Sequence, residues 1–158
     1  MSPLRMTGAL ALLLGVRAVH AGPCNVTIEG NDMMRFSLRE ITVPADCTEV
    51  EVSLKHSGKM AAKVMGHDWV LAKASDMSAI VNAGLAAGYS HGYLPENDKR
   101  IIAATKVVGG GESAGVRFST SLLQQGIRYV FFCTSPGHSS AMRGTFLFGE
   151  TDKIVRGR

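Results

Sequence analysis

Between Glu49 and Lys55 the residues alternate: Val50, Val52 and Leu54 are apolar, while Glu49, Glu51, Ser53 and Lys55 are polar. A period of two is the signature of a strand with one face buried. Shorter β-branched runs repeat the theme at Asn25–Ile28, Glu40–Ala45, His67–Ala72, Arg100–Val108, Gly115–Thr120, Arg128–Thr134 and Arg143–Phe148. Turn residues separate them, as in Gly30-Asn31-Asp32, Ser57-Gly58, Gly109-Gly110-Gly111 and Gly126. Many short strands with frequent turns predict an all-β sandwich or barrel. One stretch follows another rhythm. From Ser75 to Ala87, Met77, Ile80, Val81 and Leu85 fall on one face of a short helix, with Ser75 or Asp76 placed to cap it. It interrupts a long connection and is expected to pack as a flap on the outside of the sandwich.

The first residues follow neither rhythm. Arg5 precedes an apolar run from Ala9 to Val16, followed by Val19-His20-Ala21. That order, charged, apolar, then small, predicts a cleaved signal peptide over residues 1–21. The run is too short for a membrane helix. Cleavage takes 21 of the 158 residues, leaving 137 for one domain over residues 22–149 and a polar tail over 150–158. Cys24 lies near the cut but lacks the preceding small-residue run that lipid attachment requires, so no membrane anchor is expected. Losing Arg5 and Arg17 lowers the formal net charge from +4 to +2. No Lys/Arg cluster with interleaved aromatics appears, which argues against nucleic acid as a partner.

Three cysteines in an exported chain leave one over. Cys24 and Cys47 flank two strands and are expected to pair, a bridge worth about 3 kcal/mol in the chain-entropy picture. Cys133 is then a free thiol that needs burial or a metal to protect it. It opens the stretch Cys133-Thr134-Ser135-Pro136-Gly137-His138, with Met142 four residues further on. Singly, each has an ordinary reading: buried thiol, surface histidine, core methionine. Together on one loop, and with His67 after Gly66 at the head of another strand, they form a set of two imidazoles, a thiolate and a thioether. Two His and a Cys with a weak axial Met is the pattern of a blue-copper electron-transfer centre. Structural zinc calls for four strong ligands, and Met is a poor one.

The stretches CNVTIEGNDMMRF, EITVPADC, VMGHDWVL, GYLPENDKRIIAATKVVGGGES and YVFFCTSPGHSSAMRGTFLF resemble the azurin branch of the cupredoxins. The resemblance covers nearly all of residues 22–149. It implies an eight-stranded Greek-key β-sandwich with a helical flap. It also implies one type 1 copper ion held by His67, Cys133 and His138, with Met142 and the Gly66 carbonyl as axial contacts, and it carries over the Cys24–Cys47 bridge. The implied role is a periplasmic monomer shuttling single electrons between redox partners such as c-type cytochromes or a copper reductase, not an enzyme. The implied docking patch is Met34, Met60, Met65, Leu85, Gly137 and Ala141 around His138. His56 matches an internal position that is not a ligand, and is expected to pack and to take up protons. Trp69 is expected in the core and His91 on a solvated loop.

The residues beside the expected ligands, Asp68, Thr134 and Ser135, include two departures from the family. Asp68 stands where azurins usually have Asn, and Ser135 where they usually have Phe. An ionised Asp68 can accept bonds from the facing loop but donate none, and its charge should favour Cu(II). Two other functions compete with electron transfer. Cys133 and His138 could act as nucleophile and base, but no third orienting residue is apparent and His67 and Met142 would go unused. Copper storage or delivery would use the same ligands.

Overall fold

A computed structural model describes residues 24–149. The expected signal peptide and the tail from residue 150 lie outside the described residues. Among the described residues, nine strands and two α-helices occur in the order β1 (Asn25–Asn31), β2 (Arg35–Phe36), β3 (Glu40–Val43), β4 (Glu49–His56), α1 (Ala62–Met65), β5 (Val70–Lys73), α2 (Met77–Ala87), β6 (Ile101–Ala104), β7 (Ser113–Ser119), β8 (Tyr129–Phe132) and β9 (Arg143–Phe148). They form two sheets, ordered β2-β1-β4-β7 and β3-β9-β8-β5-β6. The β1–β4 and β3–β9 pairs are parallel and the others antiparallel. This is the expected β-sandwich with a helical flap. The strand beyond the expected eight is the two-residue β2.

The alternation in β4 does what it predicts: Val50, Val52 and Leu54 are fully buried between the sheets. Trp69 is at the centre of that core, with its ring centroid 6.1 Å from Phe131, 6.3 Å from Phe118 and 6.4 Å from Phe146. The five-stranded sheet is buried on both faces. Leu71 points between the sheets, while Val70, Ala72 and Phe132 point outward against Ile80 of α2. Burying each such aliphatic side chain contributes about 1.5–3 kcal/mol, so the sheet holds the flap in place. Leu85 departs from the helix reading, being 46% exposed. Asp76 occupies the N-cap position of α2, but its side chain makes no capping bond.

Four strands are shorter than their β-branched runs: those expected over Glu40–Ala45, His67–Ala72, Arg100–Val108 and Arg128–Thr134. The run from Arg100 stays in the sheet only to Ala104, because the Thr105 side chain replaces a backbone partner of the adjacent segment: its Oγ1 accepts the Trp69 N–H at 3.0 Å. His67 sits before β5, joined to Val108 by an isolated pair of backbone bonds. The Cys24–Cys47 disulfide is formed, tying the start of β1 to the turn before β4.

Candidate metal centre

β8 ends at Phe132, and the chain then loops over one end of the sandwich to re-enter at Arg143. The loop closes on itself through its backbone. His138 N–H donates to Ser135 O (3.0 Å), Met142 N–H to His138 O (2.7 Å) and Cys133 N–H to Met142 O (3.0 Å). Gly137 makes the turn in the left-handed region, φ 80°, where glycine is favoured. A 3₁₀ turn over His138–Ser140 then directs the His138 ring inward, leaving it 6% exposed. Arg39 braces the far end by donating from Nη1 to Ala141 O at 2.8 Å.

The second element is the segment Gly66–Asp68, and most of its order comes from elsewhere in the fold. His67 Nε2 donates to Asn31 O at 2.9 Å. That fixes the tautomer and leaves the Nδ1 lone pair facing the loop, the usual way an imidazole is prepared for a metal. Asn31 is itself pinned, its Oδ1 accepting the N–H groups of Met33 (3.0 Å) and Arg35 (3.3 Å). On its other face the His67 ring stacks on buried His56, with centroids 4.5 Å apart and planes 9° apart. His56 is held in turn, Nε2 donating to Met65 O at 2.8 Å and Nδ1 accepting the Gly58 N–H at 3.0 Å. Gly30 leaves room for the imidazole: a Cβ there would come within 2.8 Å of His67 Cδ2 and 3.3 Å of Met142 Cε. The methionine methyl therefore lies beside the histidine ring.

The donors converge. His67 Nδ1 is 3.3 Å from His138 Nδ1, and Cys133 Sγ is 3.5 Å from the same His138 nitrogen. The ligating atoms of the three residues all lie within 4.8 Å of one another, and all three residues are buried. Neutral imidazole nitrogens and a thiol at that spacing fit a soft or borderline cation such as copper. The electrostatics agree with that use. Burial lowers the pKa of His67 to about 4 and also lowers that of His138, which keeps both rings neutral and able to donate lone pairs. Burial first, and the Asp68 charge second, hold the Cys133 thiol well above its ordinary value. A cation entering here must displace the thiol proton.

Three side-chain bonds fasten the segment to the loop. Asp68, fully buried, accepts from Thr134 N–H (2.7 Å) and Thr134 Oγ1–H (2.5 Å). Burial raises its pKa to about 6, opposed by these two bonds. Ser135 Oγ donates to Gly66 O at 2.7 Å. Gly66 has no room for a side chain, since a Cβ would lie 2.6 Å from Val107 Cγ1 and nearer still to Ala62 O.

Of the other residues singled out in the sequence, Met142 and Trp69 are fully buried and His91 pairs with Glu96 at the surface. Met34, Met60, Leu85 and Gly137 are exposed, whereas Met65 and Ala141 are half-buried. Sequence reasoning missed Gly30, Asn31 and Thr105. Gly30 and Asn31 read only as a turn, and a backbone carbonyl that orients an imidazole 36 residues away leaves no mark in a sequence.

The model of the family described as copper binding proteins, plastocyanin/azurin family, matches residues 22–148. The chain is 46% identical over 143 residues to an azurin of Pseudomonas aeruginosa, covering 90% of this chain and 97% of that protein. It is 50% identical over 121 residues to azurin-1 of Alcaligenes xylosoxydans xylosoxydans, covering 77% and 94% respectively. Among solved structures, the azurin Az-iso2 of Methylomonas sp. strain J superimposes with a TM-score of 0.78 at 42% identity, over 82% of this chain and all of that one.

Proposed function

The chain belongs to the plastocyanin/azurin family of copper-binding proteins, and we infer that it is a blue copper electron carrier. The observation that carries this reading is the buried convergence of His67, Cys133 and His138. Copper, when bound, supplies a one-electron Cu(I)/Cu(II) couple; the protein supplies a site that need not rearrange between the two states. We assign the ligands as His67, Cys133 and His138, with Met142 and the Gly66 carbonyl as the weaker contacts. The Asn31 carbonyl and the His56 ring hold His67, and the bonds from Thr134 and Ser135 hold the two ligand segments together. The fully buried Met142 and the surrounding core keep water from the thiolate.

His138 is the ligand closest to solvent, and we propose that electrons pass at its edge. Met34, Met60, Met65, Leu85, Gly137 and Ala141 would frame it as a docking patch. Such a patch suits small, quickly released interfaces with redox proteins such as c-type cytochromes or a copper reductase. We place the mature monomer in the periplasm, on the strength of the leader-like first 21 residues and the disulfide. No helix among the described residues is long and apolar enough to cross a membrane.

Storage or delivery of copper is the competing use of the same ligands, and kinetics separate the two. An electron carrier exchanges electrons between its Cu(I) and Cu(II) forms rapidly while losing copper to a chelator slowly. The opposite order, with fast copper loss and sluggish self-exchange, would make this a copper-handling protein. The first pattern is expected.

A further inference from the structure

The hydrogen bond from Ser135 Oγ to Gly66 O, 2.7 Å long, joins a buried hydroxyl to a carbonyl next to His67. We propose that Ser135 is a positioning residue that sets the metal preference and redox bias of the centre by occupying the Gly66 carbonyl oxygen. The inference rests on the copper reading above and extends it to the question of which ion, and which oxidation state, the site favours.

A carbonyl oxygen has two lone pairs. The hydroxyl takes one and draws electron density from the oxygen, leaving Gly66 a poorer donor to a cation. The bond also spans 69 residues of sequence and holds the carbonyl against movement. Ala62 and Val107 fill the space where a Gly66 Cβ would stand, so the backbone is closely packed on that side. Oxygen donors serve harder cations better than Cu(I), which prefers thiolate and thioether. A weakened oxygen donor therefore penalises Zn(II) and Cu(II) relative to Cu(I). The sign follows: the hydroxyl discriminates against zinc and raises the reduction potential.

Three variants of the protein test this: Ser135→Ala, and the isosteric pair Ser135→Thr and Ser135→Val. Each is loaded with copper for voltammetry, and each metal-free form is titrated with Zn(II) against a competing chelator. Residues behind the ligands commonly change metal affinity by about 10- to 100-fold. Ser135→Ala is expected to bind Zn(II) about tenfold more tightly and to have a lower potential, while Ser135→Thr stays close to wild type. If Ser135→Ala does not fold, the Thr/Val pair gives the same contrast at constant shape. Equal potentials and zinc affinities with and without the hydroxyl would overturn the role of Ser135, as would a rise in potential on its removal. Failure of the underlying reading looks different: wild type itself would then show no intense copper–thiolate absorption, and both inferences would fall.

Discussion

The two segments proposed to supply the metal ligands are ordered in opposite ways. The loop from Cys133 to Met142 brings three proposed ligand side chains within ten residues and closes through its own backbone bonds. The Gly66–Asp68 segment brings one ligand side chain and is ordered from outside, by Asn31, His56, Val108, Thr134 and Ser135. A self-closing loop survives changes among its neighbours. A segment with borrowed order fails when any lender is altered. Substitutions remote from the copper should therefore act mainly through His67.

The largest effect is expected from Gly30→Ala, which places a methyl group against the His67 ring and the Met142 methyl. Overpacking of this kind typically costs about 1–3 kcal/mol. Chemical denaturation of the metal-free protein should show that loss, and copper affinity should fall with it. An unchanged copper affinity would mean that His67 is less dependent on its surroundings than the structure implies.

Asp68→Asn sharpens the comparison through pH. With a folded pKa of about 6 against an ordinary 3.8, Asp68 keeps a proton in the native state that the unfolded chain has lost. Its contribution to stability is full below about pH 4 and disappears as pH rises through 6. His67 runs the other way: with a folded pKa of about 4 against 6.5, it refuses a proton that the unfolded chain accepts. Stability is therefore lost to His67 as pH falls from above 6.5 to below 4. The two slopes largely offset each other in wild type. In metal-free Asp68→Asn the histidine slope stands unopposed, reinforced by His138, so its urea midpoint should fall more steeply between pH 7 and pH 4. Parallel profiles would contradict the assignment. In the copper form, removing an ionised carboxylate beside the metal should raise the potential, and a lower or unchanged value on voltammetry would count against it.

The smallest effect is expected inside the self-closing loop. Ser140 Oγ donates to Gly137 O at 3.1 Å on an exposed face, so Ser140→Ala should change stability by no more than about 0.5 kcal/mol and leave the absorption spectrum alone. A marked spectral shift would show that the loop leans on its surface bonds after all.

The same division decides what could be read from the sequence. Alternation marked β4, the run of apolar residues at helical spacing marked α2, and the spacing of Cys133, His138 and Met142 marked the loop, because each is a local pattern. The two-residue β2 and the single-turn α1 are too short to carry a period, and Leu85 shows that a helical face need not all be buried. His67 was legible as a candidate beside Gly66, but its tautomer, its stacking on His56 and the clamp through Asp68 and Ser135 depend on partners tens of residues away. The Cys24–Cys47 bridge was legible because those two cysteines flank the first expected strands.

A buried Cys133 thiolate is proposed to bind copper together with two imidazoles. The most direct test is the visible absorption spectrum of the protein after addition of Cu(II), beside a Cys133→Ser control. An intense band in the red for wild type, absent from the control, is the predicted result. A colourless wild type with a titratable free thiol would contradict it.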